Sequence, residues 1–176
     1  MVEIIFIKIF QLFLGSPAIS ISIIIFSLLV SSGIGSLLTA RLFRPFGKKM
    51  IPAFALFLAV LLSIYSFALF SLLNRLIFLA FPWRVLLSFM LISLAGFFMG
   101  AFFPEGIRRL GERDKAMIGW AWGANSFATV VGSIMAVIIS INWNFTVVLV
   151  LAALSYLAAA FFSTRTGKRE NGLSVT

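Results

Sequence analysis

Five stretches of this chain run for 18 residues or more without one acidic or basic side chain: residues 17–40, 51–73, 85–103, 117–141 and 146–163. A spanning helix needs about 20 mostly apolar residues to cross ~30 Å of hydrocarbon. The first four runs meet that length, and the fifth is slightly short. In lipid, backbone polar groups must be satisfied internally, so each run is expected to be a helix. A soluble fold of 176 residues, 62% hydrophobic and only 11% charged, could not bury so much apolar surface. The expected fold class is therefore all-α: a polytopic integral membrane helix bundle with five full transmembrane helices plus a shorter N-terminal helix. Residues 1–164 form the expected transmembrane domain, and 165–176 an expected mobile cytoplasmic tail.

The opening stretch, residues 1–14, reaches only ~21 Å at 1.5 Å per residue. Glu3, Lys8 and Gln11 project within about 140° of one another at helical spacing. Such a stripe suits an interfacial helix or a half-span facing a bundle. Gly15-Ser16-Pro17 is expected to break this helix, with Pro17 opening the next. A secretory signal is a poor reading, because Glu3 stands where a basic region is expected and no cleavage site is clear.

Charges fall between the apolar runs and set the orientation. Arg41, Arg44, Lys48 and Lys49 lie in one loop, Arg108, Arg109, Arg113 and Lys115 in another, and Arg165, Lys168 and Arg169 in the tail. The opposite side has Arg75 and Arg84, with Lys8 in the ambiguous segment. By the positive-inside rule the two basic loops and the C-terminus are cytoplasmic. The net charge of +9 is thus the imprint of membrane insertion, and no soluble domain is left to present it to a nucleic acid. The location implied is an integral membrane, the plasma (inner) membrane of a prokaryote, with the lipid bilayer as first partner. On the far side, residues 76–81 are expected to form a short surface helix closed by Pro82-Trp83-Arg84. Residues 142–145, with Trp143 at headgroup level, are expected to be a tight link.

Absent residue types exclude much chemistry. With no Cys there is no disulfide, thiolate zinc site or cysteine nucleophile. With no His the commonest general base and metal ligand is missing. The five acids, Glu3, Glu105, Glu112, Asp114 and Glu170, are too scattered for an evident metal site. No cofactor, metal or catalytic residue is expected, and the chain is not expected to be an enzyme.

Polar and small residues inside the apolar runs carry the remaining information. Gly119, Trp122, Ser126, Thr129, Ser133, Ala136 and Ser140 share one face of the fourth span, widened by Asn125 and Gly132. Small and hydroxyl residues let helix backbones approach, so close packing is the leading reading. A solute path lined by Ser126, Thr129 and Ser133 is the sharper one. Asn125 is the polar side chain least easily explained by lipid, and either bonds a neighbouring carbonyl or binds a solute. Glu3, the one acid in an apolar run, is a functional candidate by its depth unless the interface solvates it. Ser20, Ser27, Ser31 and Gly35 form a comparable ridge on the first span. Two Gly-x-x-x-Gly pairs, Gly96/Gly100 and Gly119/Gly123, offer close helix contacts. Pro104-Glu105-Gly106 is expected to close the third span, with Glu105 pairing an arginine.

Four stretches in order, Gln11-Leu-Phe-Leu-Gly-Ser-Pro17, Ser32-Gly-Ile-Gly-Ser36, Gly96-Phe-Phe-Met-Gly100 running on to Phe103-Pro104-Glu105-Gly106, and Trp120-Ala-Trp-Gly-Ala-Asn125, resemble the membrane domain of spermidine-synthase-like proteins. In that family a multi-helix domain is fused to an aminopropyltransferase-like domain. The resemblance spans residues 3–162 and departs at Ser126, where the family continues with Gly. The family's nucleotide-binding loop and polyamine-holding acids are absent, so the resemblance implies a membrane module without aminopropyl transfer. It also implies further helices before Glu3. A homo-oligomer, or a hetero-oligomer with a missing N-terminal half or an aminopropyltransferase-like subunit, is the expected assembly. Gly35-Ser-Leu-Leu-Thr-Ala-Arg41 and Gly47-Lys-Lys49 are faintly similar to the basic loop of major facilitator transporters, without that family's Asp. The function expected is a non-catalytic membrane module acting by helix packing, and the alternative is a half-transporter for a small polar or cationic solute such as a polyamine.

Overall fold

A computed structural model describes residues 2–42 and 50–173, with side chains for all of these but 40–42, 50, 51, 109, 112, 113 and 163–173. The helices are α1 (Val2–Leu14), α2 (Pro17–Leu42), α3 (Met50–Arg75), α4 (Phe81–Arg113), α5 (Met117–Asn142) and α6 (Phe145–Leu173). Each of α2 to α6 contains a stretch long and apolar enough to cross a membrane. The fold is an all-α membrane-type bundle of five long helices and one short one. Arg44, Lys48 and Lys49, and the side chains of the tail's cations, lie outside the described residues. Among the expected basic clusters, Arg108 and Lys115 are the two whose side chains are described, and they mark what is here termed the basic end.

The short helix is the centre of the bundle. Val2, Ile5, Phe6, Ile9, Phe10, Phe13 and Leu14 are all buried, at the spacing of one wide helical face. This helix contacts each of the other five. The segment packs into the bundle. Its length, ~20 Å at 1.5 Å per residue, keeps it from crossing alone. Gly15, at φ 77°, ends it in the left-handed region that favours glycine, and its N–H donates to the Gln11 carbonyl at 3.0 Å. Pro17 then opens α2, where a missing N–H costs nothing. From α4, Arg84 donates through Nη1 to the Phe13 carbonyl at 2.9 Å and lies 6.0 Å from the Phe13 ring centre. A cation thus caps the negative end of α1.

The tightest pairing joins α2 to α4, followed by α3 with α6. Along α2, Ser20, Ser27 and Ser31 are buried, each donating to the carbonyl four residues back. Those hydroxyls are satisfied by their own helix, which leaves their small side chains free to serve as packing surface. A Cβ on Gly35 would overlap the Phe97 backbone, one on Gly96 would overlap Ser31 Oγ, and one on Gly100 would overlap the Ser32 backbone. The α3–α6 pair is joined by a reciprocal exchange: Ser66 Oγ donates to the Thr146 carbonyl at 3.2 Å, and Thr146 Oγ1 donates to the Ser66 carbonyl at 3.3 Å. Tyr65 links α3 to α4 by donating to the Leu91 carbonyl at 2.8 Å.

Two local expectations need correction. Residues 76–80 form a turn and no surface helix, because α4 begins at Phe81 with Pro82 in its first turn, leaving too few residues between helices. Pro104 does not end the third span: α4 runs 33 residues to Arg113 with Pro104 inside it. Proline in a helix interior loses one hydrogen bond and crowds the carbonyl four residues back, here that of Gly100. Beyond it, Glu105 is buried and accepts from Arg108 Nε at 2.8 Å and Nη2 at 2.6 Å, an ion pair one helical turn apart that supports the continued helix. Residues 165–173, within the expected tail, continue α6 helically to Leu173.

Candidate functional site

No helix of the bundle is covered as sparsely as α5. It is the least hydropathic of the five spans, yet its spanning window has the smallest buried share. Ala136 is its one fully buried residue among those described. In the half of α5 away from the basic end, Gly132, Ser133, Ile139 and Ser140 are half-buried around Ala136, against α1, α4 and α6. In residues 117–131 all are exposed except Ile118 and Ala121, which are half-buried. The helix is therefore more deeply covered in its second half, while its first half touches α4 through Ile118 and Trp122.

The candidate residues divide along that line. Ser133 joins the packed half. Ser126 and Asn125 are exposed, and neither side chain finds a hydrogen-bond partner among the described residues. Thr129 is exposed too, its Oγ1 donating to the Asn125 carbonyl at 2.8 Å. These residues share the helical face of Ala136, and a cavity lies there between α4 and α5. That cavity, of about 390 Å³, is lined by Phe102, Phe103, Gly106, Ile107, Ala121 and Asn125. One aromatic contact crosses near it, an edge-on pairing of Phe103 with Trp122 at 4.7 Å.

Glu3 lies apart from this group. It is exposed on the side of α1 that also carries Lys8, Gln11 and Leu12, and it is within electrostatic reach of the Tyr156 hydroxyl on α6. The five candidates thus do not converge on one point. Ser126, Thr129 and Asn125 follow one another along the free half of α5, while Ser133 and Glu3 sit elsewhere.

A different face of α5 carries a second, open groove. Ala116, Gly119, Trp120, Gly123, Ala124 and Phe127 line a recess of about 590 Å³, open to the outside. At 100° per residue it is centred roughly 180° from Ala136, directly away from the chain's own core. Nothing lies within 4 Å of a Cβ added to Gly119 or Gly123. Sequence periodicity places Gly119 with the packing stripe, while its Gly-x-x-x-Gly spacing with Gly123 marks a helix contact but not its aromatic flanks. The signal that could have found it is the run Ala116, Gly119, Gly123 and Ala124, flanked by Trp120 and Phe127.

Comparison with known proteins adds no identity: no family model, no curated protein and no solved structure matches the chain.

Proposed function

We propose that the chain is a non-catalytic integral membrane module that works by packing against a partner through α5, related to the membrane domain that its motifs resemble. The observation carrying this reading is the free half of α5. Lipid tails offer a carboxamide or a hydroxyl no partner, and an unsatisfied polar group in hydrocarbon is costly. Glycine in a helix also costs up to ~1 kcal/mol relative to alanine. Gly119 and Gly123 carry that cost with no neighbour inside the protomer to use the room they leave. A second helix docked on the glycine face would use that room. In this reading the basic end and the C-terminus are cytoplasmic, in a prokaryotic plasma membrane.

A photo-crosslinking side chain at Ala124, in native membranes, tests the reading. Protein adducts are the expected outcome, and adducts with lipid alone would sink it.

One observation favours a second reading, a half-transporter for a small polar or cationic solute such as a polyamine. The Asn125 carboxamide faces the cavity between α4 and α5. Uptake into proteoliposomes that is lost in Asn125→Leu supports that reading. Absence of uptake of any polyamine leaves the packing module.

A further inference from the structure

We infer that Glu3 and Tyr156 form a cation site near the middle of the membrane, suited to a small organic ammonium ion. Such a site requires neither a partner on α5 nor transport.

Two measures set the depth of Glu3. Arg84, in the first turn of α4, fastens the far end of α1. Glu3 precedes Leu14 by 11 residues, which places it ~16 Å inward from that end at 1.5 Å per residue. Independently, the ring of Phe6, one turn from Glu3, lies 6.1 Å from that of Tyr65. Tyr65 stands near the middle of the span Pro52–Arg75. Half of a ~30 Å hydrocarbon core is ~15 Å, so both measures bring the carboxylate close to the membrane centre. Acids at that depth face a bundle interior or a water-filled cavity, pair with another group, and mark ion pathways.

Room is left beside this acid. At 100° per residue Glu3 stands at one edge of the open side of α1, in line with Phe10 and Leu14. Those two are buried, whereas Glu3 is exposed. The packing that covers them therefore does not continue to the level of Glu3. Tyr156 of α6 is within electrostatic reach there, and its ring lies 5.5 Å from that of Phe102. One negative charge, one hydroxyl oxygen and aromatic surface thus come together.

That set selects among cations. Calcium and magnesium are bound through six or more oxygens, and no three acids gather among the described residues. An organic ammonium ion is held by a single carboxylate and is favoured by an aromatic face. Lys8 does not supply the cation, because five residues along a helix place it about 140° around from Glu3.

Calorimetric titration of the full chain in lipid nanodiscs with n-butylammonium tests the site, with sodium as the comparison. Saturable binding is expected, weakened at least about tenfold in Glu3→Gln, as removal of a charged hydrogen-bond partner predicts. Tyr156→Phe keeps the ring and should weaken binding less, by about fivefold. Glu3→Asp should retain binding, and thermal unfolding of each variant separates a lost site from a lost fold. Because the chain has no cysteine, a spin label on Glu3→Cys is unique, and collision with a lipid-soluble relaxant should place it near the membrane centre. Absence of saturable binding, equal binding in Glu3→Gln, sodium binding as tight as butylammonium, or a label at headgroup depth would each overturn the inference. Binding without proteoliposome uptake would remove the transport reading and leave the site standing. Crosslinking from Ala124 should be the same in Glu3→Gln, so docking on α5 stands or falls separately.

Discussion

The two Gly-x-x-x-Gly pairs of this chain have the same spacing and opposite surroundings. At Gly96 and Gly100 on α4, the backbone of α2 lies so close that an added Cβ would overlap Ser31 or Ser32. At Gly119 and Gly123 on α5, the same added atom would touch nothing. Spacing therefore shows that a helix backbone can be approached, and not that anything in the same chain approaches it. The difference lies in the neighbours. The α4 pair faces a ridge of serines whose hydroxyls are turned back onto their own carbonyls, leaving a narrow surface. The α5 pair faces away from every helix of the bundle.

Gly100→Leu is the harshest way to break this comparison. The added side chain would need the space of the Ser32 backbone, which cannot rotate away. Overpacking typically costs ~1–3 kcal/mol, and backbone overlap belongs at or beyond the upper end. Loss of monodisperse protein after detergent extraction is the expected outcome, while Gly123→Leu should extract and melt as the parent does. If both variants behave alike, the distinction between a closed and an open pair is wrong.

A smaller effect is expected at Arg84. Its bond to the Phe13 carbonyl is charge-assisted and fastens the C-terminal end of α1, the helix against which the packed half of α5 rests. Hydrogen bonds to charged groups contribute ~1.5–3 kcal/mol, so Arg84→Leu should lower thermal stability by about that amount. Because Arg84 Nε is buried without a partner, part of the loss should be offset by removing an unsatisfied donor. Hydrogen exchange should rise in α1 and in residues 132–142 of α5, and stay unchanged in residues 117–131. A rise confined to the latter would contradict the division of α5 into packed and free halves. Tyr65→Phe, which deletes the bond to the Leu91 carbonyl between α3 and α4, should cost less, ~0.6–1 kcal/mol. Its effect should add to that of Gly123→Leu without interaction, since Tyr65 belongs to the core cluster and Gly123 does not.

The long elements are legible in the sequence because hydrocarbon imposes a length and forbids charge, and residues such as Arg41, Arg75 and Lys115 sit at the ends of the apolar runs. Local punctuation is legible only in part. Gly15 and Pro17 break the chain as their chemistry requires, but Pro104 does not, because packing and the Glu105–Arg108 pair carry the helix past a missing hydrogen bond. The central place of α1 could not be read from Glu3, Lys8 and Gln11, since a narrow polar stripe marks an uncovered side equally well on an interfacial helix or a core one. For the candidate residues, period alone places Asn125, Thr129 and Ser133 on one face. Their different surroundings follow from where the neighbouring helices lie along α5, a tertiary arrangement that no local pattern encodes.

The mildest substitution, Gly119→Ala, separates the two roles of a glycine most sharply. Within the protomer the new methyl group has open space, and alanine is the better helix former by up to ~1 kcal/mol. Thermal unfolding of the monomer in detergent should therefore be unchanged or slightly raised. Against a helix docked on this face the same methyl group would narrow the room that small residues leave for contact. Protein crosslinking from Ala124 in native membranes should then fall, more weakly than in Gly119→Leu. A gain in monomer stability with a loss of association has one physical source, a glycine whose room is used only by something outside its own bundle. If the alanine leaves crosslinking unchanged, the contact lies elsewhere on α5.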